Sequence, residues 1–272
     1  MAKQEKIQKY TGTETHGNPK TQKKRGWVFY AVAVPVIVIS TIVMTLAIML
    51  VHAYYTDVRN SRAETARLLE IAEQSGALAA QEEHTGPAYT AELSYQPHMD
   101  FDAQMREINP DFICWIRIDG TPVDYPVVRG RDNIEYLDRS FFGEENLLGT
   151  LFMDYRNVGD FVPHIIIYGH MSRYGDKFGG LLYFLYDDFL EQYNTITLIV
   201  GDRVVEYEIF SARITDIHDY AYFLDFSAPG SFAAFLERIG APPESAQILT
   251  LSTCLSAGDD DGRIVVQAAL IG

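Results

Sequence analysis

The stretch QILTLSTC covers Gln247–Cys254 and ends in a cysteine. A turn-rich loop, LSAGDDDG, follows it, and a second apolar run, RIVVQAAL, occupies Arg263–Leu270. Two strand-like runs joined by a short loop predict an antiparallel pair. This pairing brings Cys254 beside Arg263. A thiol next to a fixed positive charge at a sheet edge suits acyl transfer, because the cation favours both a thiolate and a developing oxyanion.

Less specific interpretations of both residues exist. A lone cysteine at a strand end is commonly a small buried side chain, and Arg263 could pair with an aspartate of Asp259–Asp261. These aspartates lack the spacing of a calcium-binding loop, no Cys/His cluster has zinc spacing, and no glycine-rich phosphate loop occurs. We therefore expect no metal ion and no cofactor.

His170 is the second candidate for chemistry. It follows the apolar run His164–Tyr168 after Gly169, which allows a bend. Catalytic groups are often held on loops at strand ends, although a surface histidine would fit the same pattern. His164 is interpreted as structural or surface.

Charge divides the chain into three parts. The formal net charge is −15, but residues 1–26 carry a net +5, residues 27–51 carry no charged side chain, and residues 52–272 carry a net −20. An acidic body repels phosphates, which argues against nucleic acid as a partner.

The uncharged part, Trp27–Val51, is long enough to cross a membrane as a helix. Lys23–Arg25 precede it directly, so the positive-inside rule predicts a cytoplasmic N-terminus and an extracellular body. A cleaved signal peptide is the alternative, but the run exceeds the usual 7–15 apolar residues of such peptides.

Four regions are expected along the chain. They are a basic cytoplasmic tail (1–26), a transmembrane anchor (27–51), an extracellular helical stalk and linker (52–99), and a catalytic domain (100–272). In the stalk, Ser61–Glu83 reads as a helix with Ser61 as its N-cap and Glu64 three residues on. A short helix is predicted over Phe101–Ile108.

From residue 111 onward, short strand patterns dominate. The predicted strands are Phe112–Ile118, Val123–Val128, Thr150–Asp154, His164–Tyr168, Thr195–Val200, Val204–Ile214, Gln247–Thr253 and Arg263–Ile271. Helical segments are expected at about 131–138, 178–190 and 230–240. Many short strands with few helices predict a mainly β fold, a closed or nearly closed barrel with helical insertions. Cys114 lies within the first predicted strand and is interpreted as a small buried apolar side chain. The alternative is a disulfide with Cys254, which would block the proposed chemistry.

Several motifs together resemble the sortase family, and class B sortases in particular. The motifs that carry the resemblance are Asn109–Ile116 (NPDFICWI), Asp124–Val128 (DYPVV), Gly149–Asn157 (GTLFMDYRN), Tyr168–Met171 (YGHM), Thr250–Cys254 (TLSTC) and Arg263. Met171 departs from the class, which often has asparagine there.

The resemblance implies an eight-stranded sortase barrel and a membrane-bound cysteine transpeptidase of Gram-positive bacteria. It matches Cys254 to the nucleophile, His170 to the general acid/base and Arg263 to the group that stabilises the oxyanion or positions the substrate. It also implies that Ser252 lies near the substrate, and Thr253 and Tyr222 are placed with it as substrate-binding candidates.

The implied partners are the C-terminal sorting signal of secreted proteins and an amine of the peptidoglycan cross-bridge. The nearest alternative is a pilin-polymerising sortase, in which a pilin lysine is the acceptor. A papain-like peptidase fits poorly because there the cysteine precedes the histidine. A membrane-tethered binding domain with an inert Cys254 is the non-catalytic alternative.

Overall fold

A computed structural model describes residues 19–75, 99–159, 162–172, 175–255 and 261–271. Within them, eight strands close a barrel in the order β1-β2-β3-β4-β7-β8-β6-β5. The strands are β1 (Phe112–Ile118), β2 (Asp124–Val128), β3 (Leu151–Met153), β4 (His164–Tyr168), β5 (Thr195–Val200), β6 (Arg203–Asp216), β7 (Ile248–Cys254) and β8 (Gly262–Ile271). The predicted barrel and each of its strands are confirmed.

Parallel pairing occurs at two places in the barrel, between β2 and β3 and between β4 and β7. Along β7, Leu249 and Leu251 belong to the cluster that fills the barrel, whereas Ile248 packs outside against a helix. Both faces of β7 are therefore covered, which accounts for its nearly continuous apolar sequence. Alternation then assigns Thr250, Ser252 and Cys254 to the outer face.

Helices and 3-10 turns surround the barrel. They are α1 (Pro19–Gln74), α2 (Met99–Ile108), α3 (Asp187–Gln192), α4 (Ser231–Ile239) and the 3-10 helices Phe178–Leu185 and Tyr220–Tyr222. In α4, Phe235 and Leu236 are buried against the outer ends of β7 and β8. This confirms the helix predicted at 230–240, while the segment predicted at 178–190 is divided between a 3-10 helix and α3.

The helix α1 is continuous where the sequence predicted a start at Ser61. That prediction is wrong because no glycine or proline interrupts residues 52–60, so the apolar helix continues into the polar segment. Ser61 lies in the interior of α1 and its side chain is buried. Glu64 accepts a hydrogen bond from the amide of Phe141 at 2.7 Å and does not form a capping box with Ser61. The part of the predicted stalk and linker over 76–98 lies outside the described residues.

The same helix bears on the membrane prediction. Among the described residues, it is the one helix long and apolar enough to cross a membrane, by length and composition alone. The residues of α1 up to Ala53 belong to one compact unit, and Tyr54–Gln74 belong to the unit that contains the barrel. Residues 1–18 of the predicted tail lie outside the described residues, and residues 19–26 are helical.

The C-terminal turns of α1 pack on the barrel unit. Leu68 and Ala72 are buried with Phe101 and Met105 of α2 in a cluster over the outer face of β1. Six residues before Leu68, Arg62 donates through Nε and Nη2 to the Asp176 carboxylate oxygens, each at 3.1 Å. The end of α1 is thus an integral part of this unit.

Residues 131–138 form a series of turns, and the predicted helix there is wrong. The Asp132 side chain accepts hydrogen bonds from the amides of Ile134 and Glu135, both at 2.9 Å. A helix cap makes the same two bonds, but here the next bond, from the Leu137 amide to the Ile134 carbonyl at 3.0 Å, closes an i,i+3 turn and no helix follows. The carbonyl of Leu137 is consequently left for another partner.

Candidate active site

Cys254 and Arg263 are direct cross-strand partners at the open end of the β7–β8 pair. The antiparallel register continues from Ile248↔Ala269 to this pair, and both side chains lie on the outer face of the barrel. Both residues are half-buried, so they remain reachable by a substrate. Arg263 Nη1 donates to the neighbouring Gly262 carbonyl at 2.9 Å, which restrains the guanidinium. The juxtaposition predicted from the sequence is therefore present.

Parallel pairing of β4 with β7 brings His170 to the same end. Tyr168 is the register partner of Ser252, and the Gly169 amide donates to the Ser252 carbonyl at 3.1 Å. His170 and Cys254 each follow two residues beyond that pair. Gly169 is needed for close packing, since a Cβ there would collide with the side chains of Leu151 and Phe178.

The imidazole of His170 is oriented by a backbone carbonyl. Its Nε2 lies 2.6 Å from the Leu137 oxygen, and a carbonyl can only accept, so Nε2 carries the hydrogen. Within the described part of the chain, Nδ1 has no hydrogen-bond partner and is the nitrogen available for proton transfer. Sequence reasoning missed Leu137, because this contact requires the turns at 131–138 that the helix prediction excluded.

Ser252 and Tyr222 meet two residues before Cys254. The two hydroxyl oxygens are 2.8 Å apart, and the Tyr222 ring stacks on Tyr168 with a centroid distance of 6.4 Å and an interplanar angle of 12°. Burial raises the pKa of Tyr222, against the opposing effects of the Ser252 hydrogen bond and the Arg263 charge, so the phenol keeps its proton. The two residues form one wall of the region around Cys254.

Thr253 is separated from this group. Strand alternation turns its side chain to the barrel interior, and it is 2% exposed. Its hydroxyl is buried without a hydrogen-bond partner in the described part of the chain. Only the main chain of Thr253 is therefore on the side of Cys254.

A cavity of about 480 Å³ adjoins Tyr222. Its lining consists of Arg156, Asn157, Val162, Pro163 and residues 222–226. The buried Asp154 carboxylate accepts two hydrogen bonds from Arg156, at 2.8 and 2.7 Å, and one from Tyr168 at 2.9 Å. The guanidinium at the cavity wall is thereby held in place and its charge compensated.

The two cysteines differ sharply in environment. Cys114 is fully buried in the barrel interior, and burial raises the pKa of its thiol to about 12. Both cysteines are free thiols, so the disulfide considered from the sequence is not formed. Cys254 is the thiol that a reactant can approach.

His164 is structural, as one of the two sequence interpretations held. It is fully buried beneath Phe235 at a ring-centroid distance of 4.7 Å. Its Nδ1 lies 2.8 Å from the Phe223 oxygen and its Nε2 2.7 Å from Thr250 Oγ1. Because the carbonyl accepts, the neutral ring donates through Nδ1 and accepts from the threonine hydroxyl through Nε2.

The burial of neutral His164 predicts that the free energy of unfolding decreases in acid. Burial lowers the pKa of His164 from 6.5 to about 4, despite the opposing effects of the Phe223 hydrogen bond and the Asp154 charge. A depressed pKa contributes stability that is complete above pH 6.5 and is lost as the pH falls towards 4. We expect a loss of up to about 3 kcal/mol from this group, measured as the free energy of unfolding in urea at successive pH values.

The exposed His218 provides the control. His218→Gln should retain the steep loss of stability between pH 6.5 and 4, whereas His164→Gln, although less stable at neutral pH, should show a flatter profile in that interval. Equal slopes in the two variants would assign the acid sensitivity to other groups.

Comparison with known proteins gives consistent matches. A family model described as the sortase domain matches residues 116–271. Over 178 residues the chain is 31% identical to sortase B of Listeria monocytogenes, covering 61% of this chain and 72% of that protein. Sortase B of Staphylococcus aureus is 31% identical over 178 residues, with coverage of 61% and 73%.

Solved structures agree with these matches. A Staphylococcus aureus sortase B–substrate complex superposes with a TM-score of 0.66 at 26% identity, covering 79% of this chain and 98% of that chain. Sortase B from B. anthracis in complex with AAEK1 gives a TM-score of 0.64 at 28% identity, with coverage of 80% and 99%.

Proposed function

The chain belongs to the sortase family, and we propose that it is a membrane-anchored transpeptidase that joins secreted proteins to an amine of the cell wall through a thioacyl intermediate on Cys254. The observation that carries the proposal is the cross-strand pair Cys254–Arg263, with His170 two residues beyond the strand that flanks β7. The substrate is the C-terminal sorting signal of a secreted protein.

In the proposed first step, the Cys254 thiolate attacks the carbonyl carbon of the scissile peptide bond. Arg263 stabilises the negative charge that develops on the carbonyl oxygen. The carbon–nitrogen bond then breaks, and the leaving amine takes a proton from His170. Since Nε2 is engaged with Leu137, we assign this transfer to Nδ1.

In the proposed second step, an acceptor amine attacks the thioester. His170 Nδ1 takes the proton that the amine loses, the carbon–sulfur bond breaks, and the Cys254 thiolate is restored. Ser252 and Tyr222 position the sorting signal beside the thiol, and Thr253 contributes through its main chain.

We place the enzyme in the cell membrane with residues 52–272 outside the cell. The long apolar helix supports the anchor, and the Lys23–Arg25 cluster before it supports a cytoplasmic N-terminus. An external site adjoins both the secreted substrate and the wall amine.

The full-length chain in detergent tests the reaction. It is incubated with a library of sorting-signal peptides and either cross-bridge peptides or a lysine-bearing pilin peptide, and the products are weighed by mass spectrometry. We expect an acyl adduct on Cys254 and a new amide with the cross-bridge amine. A new amide with the pilin lysine alone would favour the pilin-polymerising alternative, and the absence of any adduct would refute the proposed chemistry.

A further inference from the structure

The turn that carries Tyr222 is held at both of its ends by side chains. At its start, Asp219 Oδ1 accepts a hydrogen bond from the Ala221 amide at 2.7 Å. At its end, the Phe223 carbonyl accepts from Nδ1 of the buried His164 at 2.8 Å. Asp219 and His164 are far apart in the sequence, yet a single chain of hydrogen bonds joins them.

This chain runs across the outer face of four neighbouring strands. Thr250 on β7 donates to His164 on β4, and it accepts from Gln267 Nε2 on β8 at 3.2 Å. Gln267 Oε1 accepts from Arg213 Nη1 on β6 at 2.6 Å, and Arg213 Nη2 donates to Asp219 Oδ1 at 2.7 Å. We name the set of His164, Thr250, Gln267, Arg213 and Asp219 the polar bridge.

The polar bridge has one self-consistent arrangement of protons. Arg213 only donates and the Asp219 carboxylate only accepts, which fixes the Gln267 oxygen as an acceptor and its amide nitrogen as a donor. The Thr250 hydroxyl accepts from that nitrogen and must donate to His164 Nε2. His164 then donates through Nδ1 to Phe223, so each link requires the one before it.

Burial makes the arrangement rigid. His164, Thr250 and Gln267 are each 0% exposed, so water cannot replace a broken link. A group that loses its partner there carries the full penalty of desolvation. The Phe223 end of the Tyr222 turn is therefore tied to the barrel wall by fully buried groups, and the Asp219 end is tied to it by the half-buried ion pair of Arg213 with Asp219.

We propose that the polar bridge positions Tyr222 for substrate binding and that Gln267 and Arg213 are positioning residues of this enzyme. The Tyr222 hydroxyl meets Ser252 two residues before Cys254, and the segment 222–226 lines the adjoining cavity. A shift of the turn moves this wall away from the peptide and leaves Cys254, His170 and Arg263 in place. The inference rests on the proposed transpeptidase function.

Gln267→Met tests the proposal because it approximately preserves the side-chain volume and breaks two links, and the hydrogen bonds it removes are those to Arg213 and Thr250. We expect the KM for a sorting-signal peptide to rise about tenfold, on the order of the loss of one buried hydrogen bond. Alkylation of Cys254 by iodoacetamide should keep its rate, since this small reagent needs no substrate wall. Hydrogen exchange in segment 219–223 should become faster.

Tyr207→Phe is the matched control. Tyr207 lies on β6, the strand that carries Arg213, and donates a part-buried hydrogen bond to Gln247 that is outside the polar bridge. The variant removes this bond. We expect the KM and the exchange of 219–223 to stay unchanged. If Gln267→Met does not fold, Arg213→Lys serves instead, because it keeps the charge and one donor and should give a smaller change of the same kind.

Three results would overturn the inference. Unchanged exchange of 219–223 would mean that the bridge does not hold the turn, and faster exchange with an unchanged KM would make the bridge merely structural. An equal fall in peptide turnover and alkylation would place the damage at the thiol. If the wild-type chain cleaves no sorting peptide, the proposed function fails instead, and the exchange of 219–223 alone decides whether the bridge holds the turn.

Discussion

Replacement of Cys254 by alanine should abolish cleavage of sorting-signal peptides. In the proposed mechanism the Cys254 thiolate forms the covalent bond to the substrate, and the other thiol of the sequence, Cys114, is buried in the barrel interior. Loss of a nucleophile that acts together with its partners typically lowers kcat by about 10⁴-fold or more. The measurement is peptide turnover by full-length protein, with the acyl adduct followed by mass spectrometry.

Cys114→Ala is the matched control for this variant. It removes the other thiol of the chain, which is buried in the barrel interior and protonated. We expect slightly reduced stability, unchanged turnover and an unchanged adduct mass. Normal cleavage by Cys254→Ala would show that the nucleophile is another group.

Replacement of Arg263 by lysine should be nearly as damaging, although the charge is kept. Lysine presents a compact ammonium on a flexible stem, whereas the guanidinium is a planar fork anchored here by its bond to the Gly262 carbonyl. Removal of one oxyanion donor costs about 10²- to 10³-fold in kcat. We expect a loss of this size, mainly in kcat, in steady-state measurements on the purified full-length chain.

Arg203→Lys makes the same chemical change at the exposed start of β6. Its kinetics should match those of the unaltered protein. Should Arg263→Lys turn over peptide at a rate close to normal, the proposed stabilisation of the oxyanion by Arg263 would be wrong.

The strands and the Cys254–Arg263 pair were predictable because their information is local. Short apolar runs bounded by turn residues define β7 and β8, and the short connection leaves an antiparallel pair as the simplest arrangement. The position of His170 at the same end of the barrel could not be predicted from local sequence. It depends on parallel pairing between β4 and β7, which are separated in the chain by α-helices, 3-10 helices and two other strands. Resemblance to the family, and not a local sequence pattern, indicated this arrangement.

The failures also have physical causes. In the segment predicted as a helix at 131–138, Asp132 accepts two amide hydrogen bonds as a helix cap would, but the chain continues with an i,i+3 turn from Leu137 to Ile134 and not with a helix. The helix start predicted at Ser61 relied on a capping pattern in a segment without a helix breaker.

The polar bridge left only a partial signal in the sequence. Thr250 and Gln267 are polar residues within apolar strands, and that irregularity was the available signal. Their partner Asp219 lies in a loop that no sequence pattern connects to them.

The parallel pairing of β4 with β7 also sets a late point in folding for the assembly of the proposed site. The register pair Tyr168–Ser252 closes a long segment of chain, and such non-local pairings form slowly because the entropy of loop closure precedes any stabilising contact. Arg263 arrives later still in the chain, on the strand that completes the barrel. During synthesis Cys254 is therefore made before Arg263, and the proposed nucleophile has no guanidinium beside it until the last strand has docked.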